Sequence, residues 1–255
     1  MPNLNPKIIF LGTPEFAVPA LQALVQGGFL PALVITQPDK PVGRNQQLTP
    51  PPVKEFALAN NLTIAQPKNK KELEKIFANN DCDVCILAAF GMIIPDDCLA
   101  KPKFGFLNIH PSLLPEFRGS APIQQAILDG HKTTGVSIIK LVKEVDAGPI
   151  YAQKEIPILA QDNAQTLGAK LAFVGAQLLV EILPDFLAQK IKPTLQSDNL
   201  ATFTKIIERD DGRVDWQQTA GQIDRQFRAF FPWPGVFTHL AGKRLKIANL
   251  SVLEG

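Results

Sequence analysis

Three cysteines and three histidines in 255 residues leave little material for a disulfide framework or a metal centre. An odd cysteine count does not pair off. The histidines stand at His110, His131 and His239, with no HExxH or comparable spacing, and make a poor zinc set, so no metal is expected. Cys82-Asp83-Val84-Cys85 is nominally a CxxC. It runs into the apolar stretch Val84 to Ala89, which reads as a strand whose residues three apart face opposite sides, so packed thiols are expected there and not a zinc or redox pair. Charge of one sign is also missing: the net charge of +2 announces no nucleic-acid binding, and any RNA contact must rest on local basic segments.

The first seven residues, MPNLNPK, lack a signal peptide's apolar stretch and small-residue cleavage site. The longest helix-like apolar segment, Leu167 to Leu187, is interrupted by Lys170, Gln177, Glu181 and Asp185, which predicts an amphipathic helix and not a membrane span. A soluble, cytoplasmic protein with no membrane partner is the expectation. A dinucleotide fingerprint is absent too. Gly12-Thr13-Pro14-Glu15-Phe16 stands where a Rossmann fold carries GxGxxG, but one glycine, a proline and an acid offer a pyrophosphate few amides and the wrong charge.

What the chain does have is alternation. Apolar runs at Lys7–Leu11, Ala32–Thr36, near Ile64, Val84–Ala89 and Gly105–His110 alternate with helical patterns at Pro19–Gly27, Val53–Asn60, Lys70–Asn79 and Asp96–Ala100. That pattern predicts an α/β fold, a Rossmann-like, mostly parallel sheet with helices on both faces. Ser120 is positioned to cap a further helix, with Pro122 in its first turn and Gly130 beyond its end. Strands over Val136–Leu141 and Ile150–Ile158 and the long helix from Leu167 complete a domain over residues 1–190. Residues 191–208 read as a polar linker. Residues 209–255 carry an aromatic cluster (Phe227, Phe230, Phe231, Trp233) and a hairpin pattern.

The segment "NIHPSLLPEFRGSAPI", Asn108 to Ile123, is the most unusual. Ligands of open parallel sheets bind beyond the carboxyl ends of the strands. Asn108 and His110, two apart at such an end, face one side together. An amide donor beside an imidazole suits attack on a carbonyl: the amide stabilises an oxyanion and the imidazole moves a proton. A histidine in that role needs orienting, usually by a carboxylate. Asp146 in "KEVDAGPI" is the candidate, because the small Ala147 and Gly148 beside it suit a crowded pocket, and Glu144 is its competitor. No serine or cysteine has a better claim as a nucleophile, which leaves direct transfer to an external amine or hydroxyl. A plain structural reading, a paired strand-end histidine and a turn-forming aspartate, fits the same residues.

"NIHPSLLPEFRGSAPI" and "EVDAGPI" resemble the formyltransferase domain that uses 10-formyltetrahydrofolate. "IIFLGTPEFAVPAL", "TQPDKPVGR" and "AFFPWPG", in the same order, are similar to the methionyl-tRNA formyltransferase branch of that family. The resemblance implies that Asn108, His110 and Asp146 are the catalytic trio. It further implies that Phe90, Gly91, Met92 and Ile93, in the loop Ala88–Ile94, line a folate pocket together with Ser112, Leu113, Leu114 and Pro115. The loop Gln37–Pro51 would reach a tRNA acceptor arm, with Lys40 and Arg44 as its basic contacts. The co-substrate would be 10-formyltetrahydrofolate, the acceptor initiator methionyl-tRNA, and the enzyme a monomer without a metal. Two alternatives stay open: a formyltransferase for a small amine such as an amino-sugar, and a folate- or RNA-binding module without catalysis.

The chain departs from the family pattern in two places. After Arg44 come Asn45-Gln46-Gln47 where further basic residues are usual, which predicts a weaker grip on RNA. The family's C-terminal domain resembles an OB-like barrel, whereas the sequence from Val236 supports a strand to Leu240, a turn at Ala241–Lys243 and a strand from Arg244. Two strands do not close a five-stranded barrel, so a short, incomplete C-terminal β segment is expected.

Overall fold

The computed structural model describes residues 6–43 and 45–252. The chain forms two compact units. The first runs through His110 and takes in Val136–Lys154 and Ala172–Gln196. The second comprises Pro111–Gly135, Glu155–Leu171 and the described residues from Ser197 onward.

The strands are β1 (Ile8–Gly12), β2 (Leu33–Ile35), β3 (Lys40–Val42), β4 (Gln47–Thr49), β5 (Ile64–Ala65), β6 (Val84–Ala88), β7 (Phe106–His110), β8 (Arg118–Gly119), β9 (Thr133–Lys140), β10 (Ile150–Pro157), β11 (Phe203–Thr204), β12 (Val236–Leu240) and β13 (Lys243–Ile247). The helices are α1 (Val18–Gln26), α2 (Pro52–Ala59), α3 (Lys70–Asn79), α4 (Asp96–Leu99), α5 (Pro122–Leu128), α6 (Ala164–Leu187) and α7 (Ala220–Ala229). Short 3-10 turns occupy Glu15–Ala17, Asp198–Leu200 and Arg209–Gly212.

The main sheet has seven strands in the order β10-β9-β7-β6-β1-β2-β5. Strands β5, β2, β1, β6 and β7 are parallel, and β9 joins β7 antiparallel. This is the expected mostly parallel, Rossmann-like arrangement, and chain order reverses between β1 and β6. At β7 the pleat separates the two faces. Phe106 joins a buried cluster with Ile9, Leu11, Ile35 and Cys85, covered by Leu73 and Phe77 of α3 and Cys98 of α4. Ile109 points the other way, toward α6: a Cβ on Gly175 would lie 2.7 Å from its Cγ2, so only glycine lets the helix come this close. Asn108 and His110 therefore share Phe106's side of the sheet.

Asn69 caps α3 by accepting from the Glu72 amide at 3.1 Å. The expected cap of α5 is different: Ala121, not Ser120, holds the N-cap position, and no side chain caps it. Pro122, which lacks the amide that would need satisfying, starts the helix instead. Helix α6 is long and apolar enough to cross a membrane by length and composition alone. Its exposed positions (Gln165, Ala169, Phe173, Gln177, Glu181, Asp185) and buried ones (Leu167, Leu171, Leu179, Leu183, Phe186) alternate with the helical period, as an amphipathic helix requires.

In the second unit, α7 packs on α5. Of the aromatic cluster Phe230 is buried, Phe227 is half-buried, and Phe231 and Trp233 are exposed. Residues Phe203–Thr204 pair with β8, and Arg118, buried, reaches Asp198 at 2.8 Å, so part of the segment 191–208 is tied into this unit. Strands β12 and β13 form a two-stranded antiparallel hairpin, turned by Ala241 and Gly242, both at positive φ. Positive φ at both central residues matches the hairpin's twist. The Trp216 indole donates to Thr238 Oγ1 at 2.9 Å, fastening the hairpin to the segment before α7.

Candidate active site

Antiparallel pairing sets Asn108 opposite Ile139 and His110 opposite Ser137. Both polar side chains are buried, with residue exposures of 6% and 4%. After β9 the chain turns through Val142–Gly148 and brings Asp146 back to them. Its Oδ2 lies 3.5 Å from His110 Nδ1, and its Oδ1 is 3.5 Å from Asn108 Nδ2, which donates to it. One carboxylate thus touches both strand-end side chains. Glu144, its competitor in sequence, is exposed on the same loop.

Asp146 sits at φ 51°, a left-handed conformation that aspartate tolerates better than most residues. Two features hold the loop there. The Gln196 amide donates to the carbonyls of Asp146 and Gly148, each at 2.7 Å. A Cβ on Gly148 would stand 1.7 Å from the Lys140 carbonyl oxygen, so the backbone passes β9 where no other residue fits. Gln196 follows a two-way backbone bridge between Ile150 and Thr194, with both hydrogen bonds at 2.8 Å.

At the switch point between β1 and β6, Thr13 Oγ1 donates to the Phe90 carbonyl at 2.8 Å. The Gln37 amide donates to the carbonyls of Phe90 and Gly91 at 3.2 and 2.9 Å. Side chains from the segments after β1 and β2 thus bind the backbone carbonyls that follow β6. Phe90 is buried, Met92 half-buried and Ile93 exposed by 73%. In the second unit Ser112 is fully buried, its hydroxyl donating to the Glu116 carbonyl at 2.6 Å. Leu114 is buried, Leu113 and Pro115 are half-buried, and the Leu114–Pro115 peptide is cis.

Lys40 is exposed on β3, its ammonium donating to Gln37 Oε1 at 2.6 Å; Arg44 lies outside the described residues. Strands β3 and β4 form a small exposed hairpin. Its root is tied by Asp39, which accepts from Lys54 and from Gln66 at 2.8 Å. Those partners, Gln66 foremost, hold the Asp39 carboxyl below its ordinary pKa.

The thiols correct one expectation. Cys82 and Cys85 do not face apart: their sulfurs are 3.8 Å from each other. Cys82 precedes β6, so strand alternation does not reach it. Both are free thiols, Cys85 buried, and burial raises the Cys85 pKa. No group of histidines, cysteines and acids able to hold a metal occurs among the described residues.

Sequence reasoning passed over Thr13, Gln37 and Gln196. Thr13 and Gln37 lay inside quoted motifs, but the role of each depends on a partner 77 or 53 residues away. Gln196 lay in the segment read as a linker, and nothing local marks it.

The formyl transferase family model matches residues 6–183, and the model of the family's C-terminal domain matches residues 206–255. The chain belongs to the formyl transferase family. It is 46% identical over 244 residues to a methionyl-tRNA formyltransferase of Enterococcus faecalis, covering 94% of this chain and 78% of that protein. The methionyl-tRNA formyltransferase of Listeria monocytogenes serovar 1/2a matches at the same identity and coverage. Among solved structures, the sugar 3N-formyltransferase WlaRD, determined with dTDP and 5-N-formyl-THF, shares the fold at a TM-score of 0.72. It is 22% identical, with 93% of this chain and 84% of that one aligned.

Proposed function

We propose that this chain transfers the formyl group of 10-formyltetrahydrofolate to the α-amine of methionyl-tRNA, giving N-formylmethionyl-tRNA and tetrahydrofolate. The observation that carries this reading is the convergence of Asn108, His110 and Asp146 at the carboxyl end of β7, in a chain similar over 94% of its length to methionyl-tRNA formyltransferases. The amine nitrogen attacks the formyl carbon. Asn108 Nδ2 donates to the developing oxyanion, acting where charge appears only in the transition state. His110 takes the proton the amine loses, and a proton reaches N10 of the folate as the C–N10 bond breaks. Asp146 orients the His110 ring through Nδ1 and stabilises it when protonated.

Phe90, Gly91, Met92 and Ile93, and likewise Ser112, Leu113, Leu114 and Pro115, are the residues we assign to the folate. With the hydroxyl of Ser112 committed and Leu114 buried, backbone groups and the half-exposed Met92, Leu113 and Pro115 would supply most of the contact. Lys40 and Arg44 would meet acceptor-arm phosphates. In the C-terminal segment Arg228 is held by Asp224 and the Asp162 carbonyl, and Arg244 lies over the Phe237 ring at 3.6 Å. Lys243 and Lys246 are exposed on β13. We assign the 1–190 segment to catalysis and 209–255 to tRNA contact, in a monomeric cytoplasmic enzyme with no membrane partner. A sugar amine as acceptor draws support only from likeness of fold.

The test is transfer of labelled formyl from 10-formyltetrahydrofolate to methionyl-tRNA, with free methionine and an amino-sugar nucleotide as competing acceptors. Label on methionyl-tRNA alone is expected. Preferential labelling of the sugar amine would refute the assignment, and folate binding without any transfer would make the chain a binding module.

A further inference from the structure

We infer that Gln196 is a positioning residue for formyl transfer, acting through Asp146. The inference rests on the reading of Asn108, His110 and Asp146 as the catalytic trio. Asp146 must present its two carboxylate oxygens to two different partners, yet it lies on a loop and in a left-handed backbone conformation at φ 51°. Such a conformation persists only where the surroundings determine it. Gln196 supplies that constraint. Its single amide nitrogen has two hydrogens, and it spends one on the Asp146 carbonyl and one on the Gly148 carbonyl, each at 2.7 Å.

Two carbonyls two residues apart converge on one donor only when the backbone between them curls, and the curl is what turns the Asp146 side chain toward β7. Gly148, pressed against the Lys140 carbonyl, anchors the far end of the curl. The Ile150–Thr194 bridge fixes where Gln196 starts, so its side chain spans a set distance. Neither carbonyl lies in a regular strand or helix, so no ladder replaces the clamp when it is removed. Through those two carbonyls the effect of residue 196 passes to the angle at which Asp146 meets His110 and Asn108.

The experiment is a double-mutant cycle in the full chain. Single-turnover formylation of methionyl-tRNA is measured at saturating substrates for Gln196→Ala, Asp146→Asn and the double variant, together with donor affinity and the pH dependence of the rate. Gln196→Ala is expected to slow transfer by about tenfold to a hundredfold, the scale of a misplaced catalytic group, with donor affinity within about twofold. Added to Asp146→Asn it should cost nothing further, because residues that act as a unit are not additive. Its rate profile should titrate at a lower pH than the wild type, in the same direction as Asp146→Asn, because an imidazolium that loses its carboxylate is destabilised. Gln196→Glu keeps the volume and removes both amide donors, so it carries the same expectation if the alanine variant folds poorly. A wild-type rate for Gln196→Glu, or losses that multiply in the double variant, would overturn the inference while leaving the trio intact. Wild-type turnover in Asp146→Asn would instead overturn the trio, and the role of Gln196 with it.

Discussion

Two loops of the first unit carry charged residues assigned to function, and they are built in opposite ways. The loop Val142–Gly148 is fastened along its length: Gln196 binds two of its carbonyls, Gly148 is wedged against β9, and Asp146 is half-buried against two buried side chains. The loop Gln37–Pro51 is fastened at its root by Thr13, Lys54 and Gln66, and its outer strands β3 and β4 stand in solvent. Chemistry needs atoms held to fractions of an ångström, because orientation enters the rate directly. Contact with a phosphate chain needs charge and reach, and exposed lysines and arginines supply both. The two loops should therefore fail differently when altered.

The largest expected effect lies in the fastened loop. Asp146→Asn keeps the size and the backbone bonds but removes the charge proposed to orient His110, and turnover should fall by about 10²- to 10⁴-fold. Thermal unfolding compared with the wild type checks that the fold survives. Loss of the fold, with the remaining folded fraction fully active, would make Asp146 a turn residue.

The exposed loop should lose binding and not chemistry. Lys40→Ala and Arg44→Ala are each expected to lower the salt slope of tRNA binding by about one. Turnover at saturating tRNA should stay within about twofold of the wild type, the expected signature of a phosphate contact that only positions. A drop in turnover at saturation would erase the contrast between the loops. An unchanged salt slope would remove Lys40 and Arg44 from the RNA surface.

The smallest effect on activity is expected at the ion pair Lys170–Asp162 in the second unit. Lys170 Nζ lies 2.7 and 2.9 Å from the two carboxylate oxygens of Asp162, whose side chain is 2% exposed. Burial pushes the Asp162 pKa up, but Lys170, the Leu159 amide and the Thr166 hydroxyl hold it below the ordinary value. A lowered folded pKa contributes stability above the unfolded aspartate value of about 3.9 and loses it as pH falls through the folded value. Lys170→Met should cost about 1–3 kcal/mol in urea unfolding at pH 7, because it leaves a buried carboxylate short of partners. The difference should narrow as pH drops below about 4, and turnover of the folded enzyme should not change. A constant difference down to pH 3 would show that Lys170 contributes by packing alone.

The parallel strands and the first three helices were legible because their signals are local: apolar runs between turns and helical periodicity between them. Asn108 and His110 were legible as a pair because strand alternation is reliable over two residues. Alternation failed at Cys82, which lies just outside its strand. The cap at Ser120 failed because Pro122 starts α5 without one. The preference for Asp146 over Glu144 rested on the small neighbours Ala147 and Gly148; at Gly148 an added Cβ would stand 1.7 Å from the Lys140 carbonyl oxygen, so a larger residue does not fit there. Gln196 and Gln37 were illegible because a glutamine that clamps distant carbonyls looks in sequence like any solvated glutamine.

The central claim is that Asn108 is a donor to the transition state and not a strand-end structural residue. Its most direct test pairs two measurements on Asn108→Ala: equilibrium binding of 10-formyltetrahydrofolate, and the single-turnover rate of formyl transfer to saturating methionyl-tRNA. Donor affinity is expected to stay within about twofold of the wild type while the rate falls by about 10²- to 10³-fold, the loss typical of one oxyanion donor. A near-normal rate, or a loss that appears wholly in folate affinity, would contradict it.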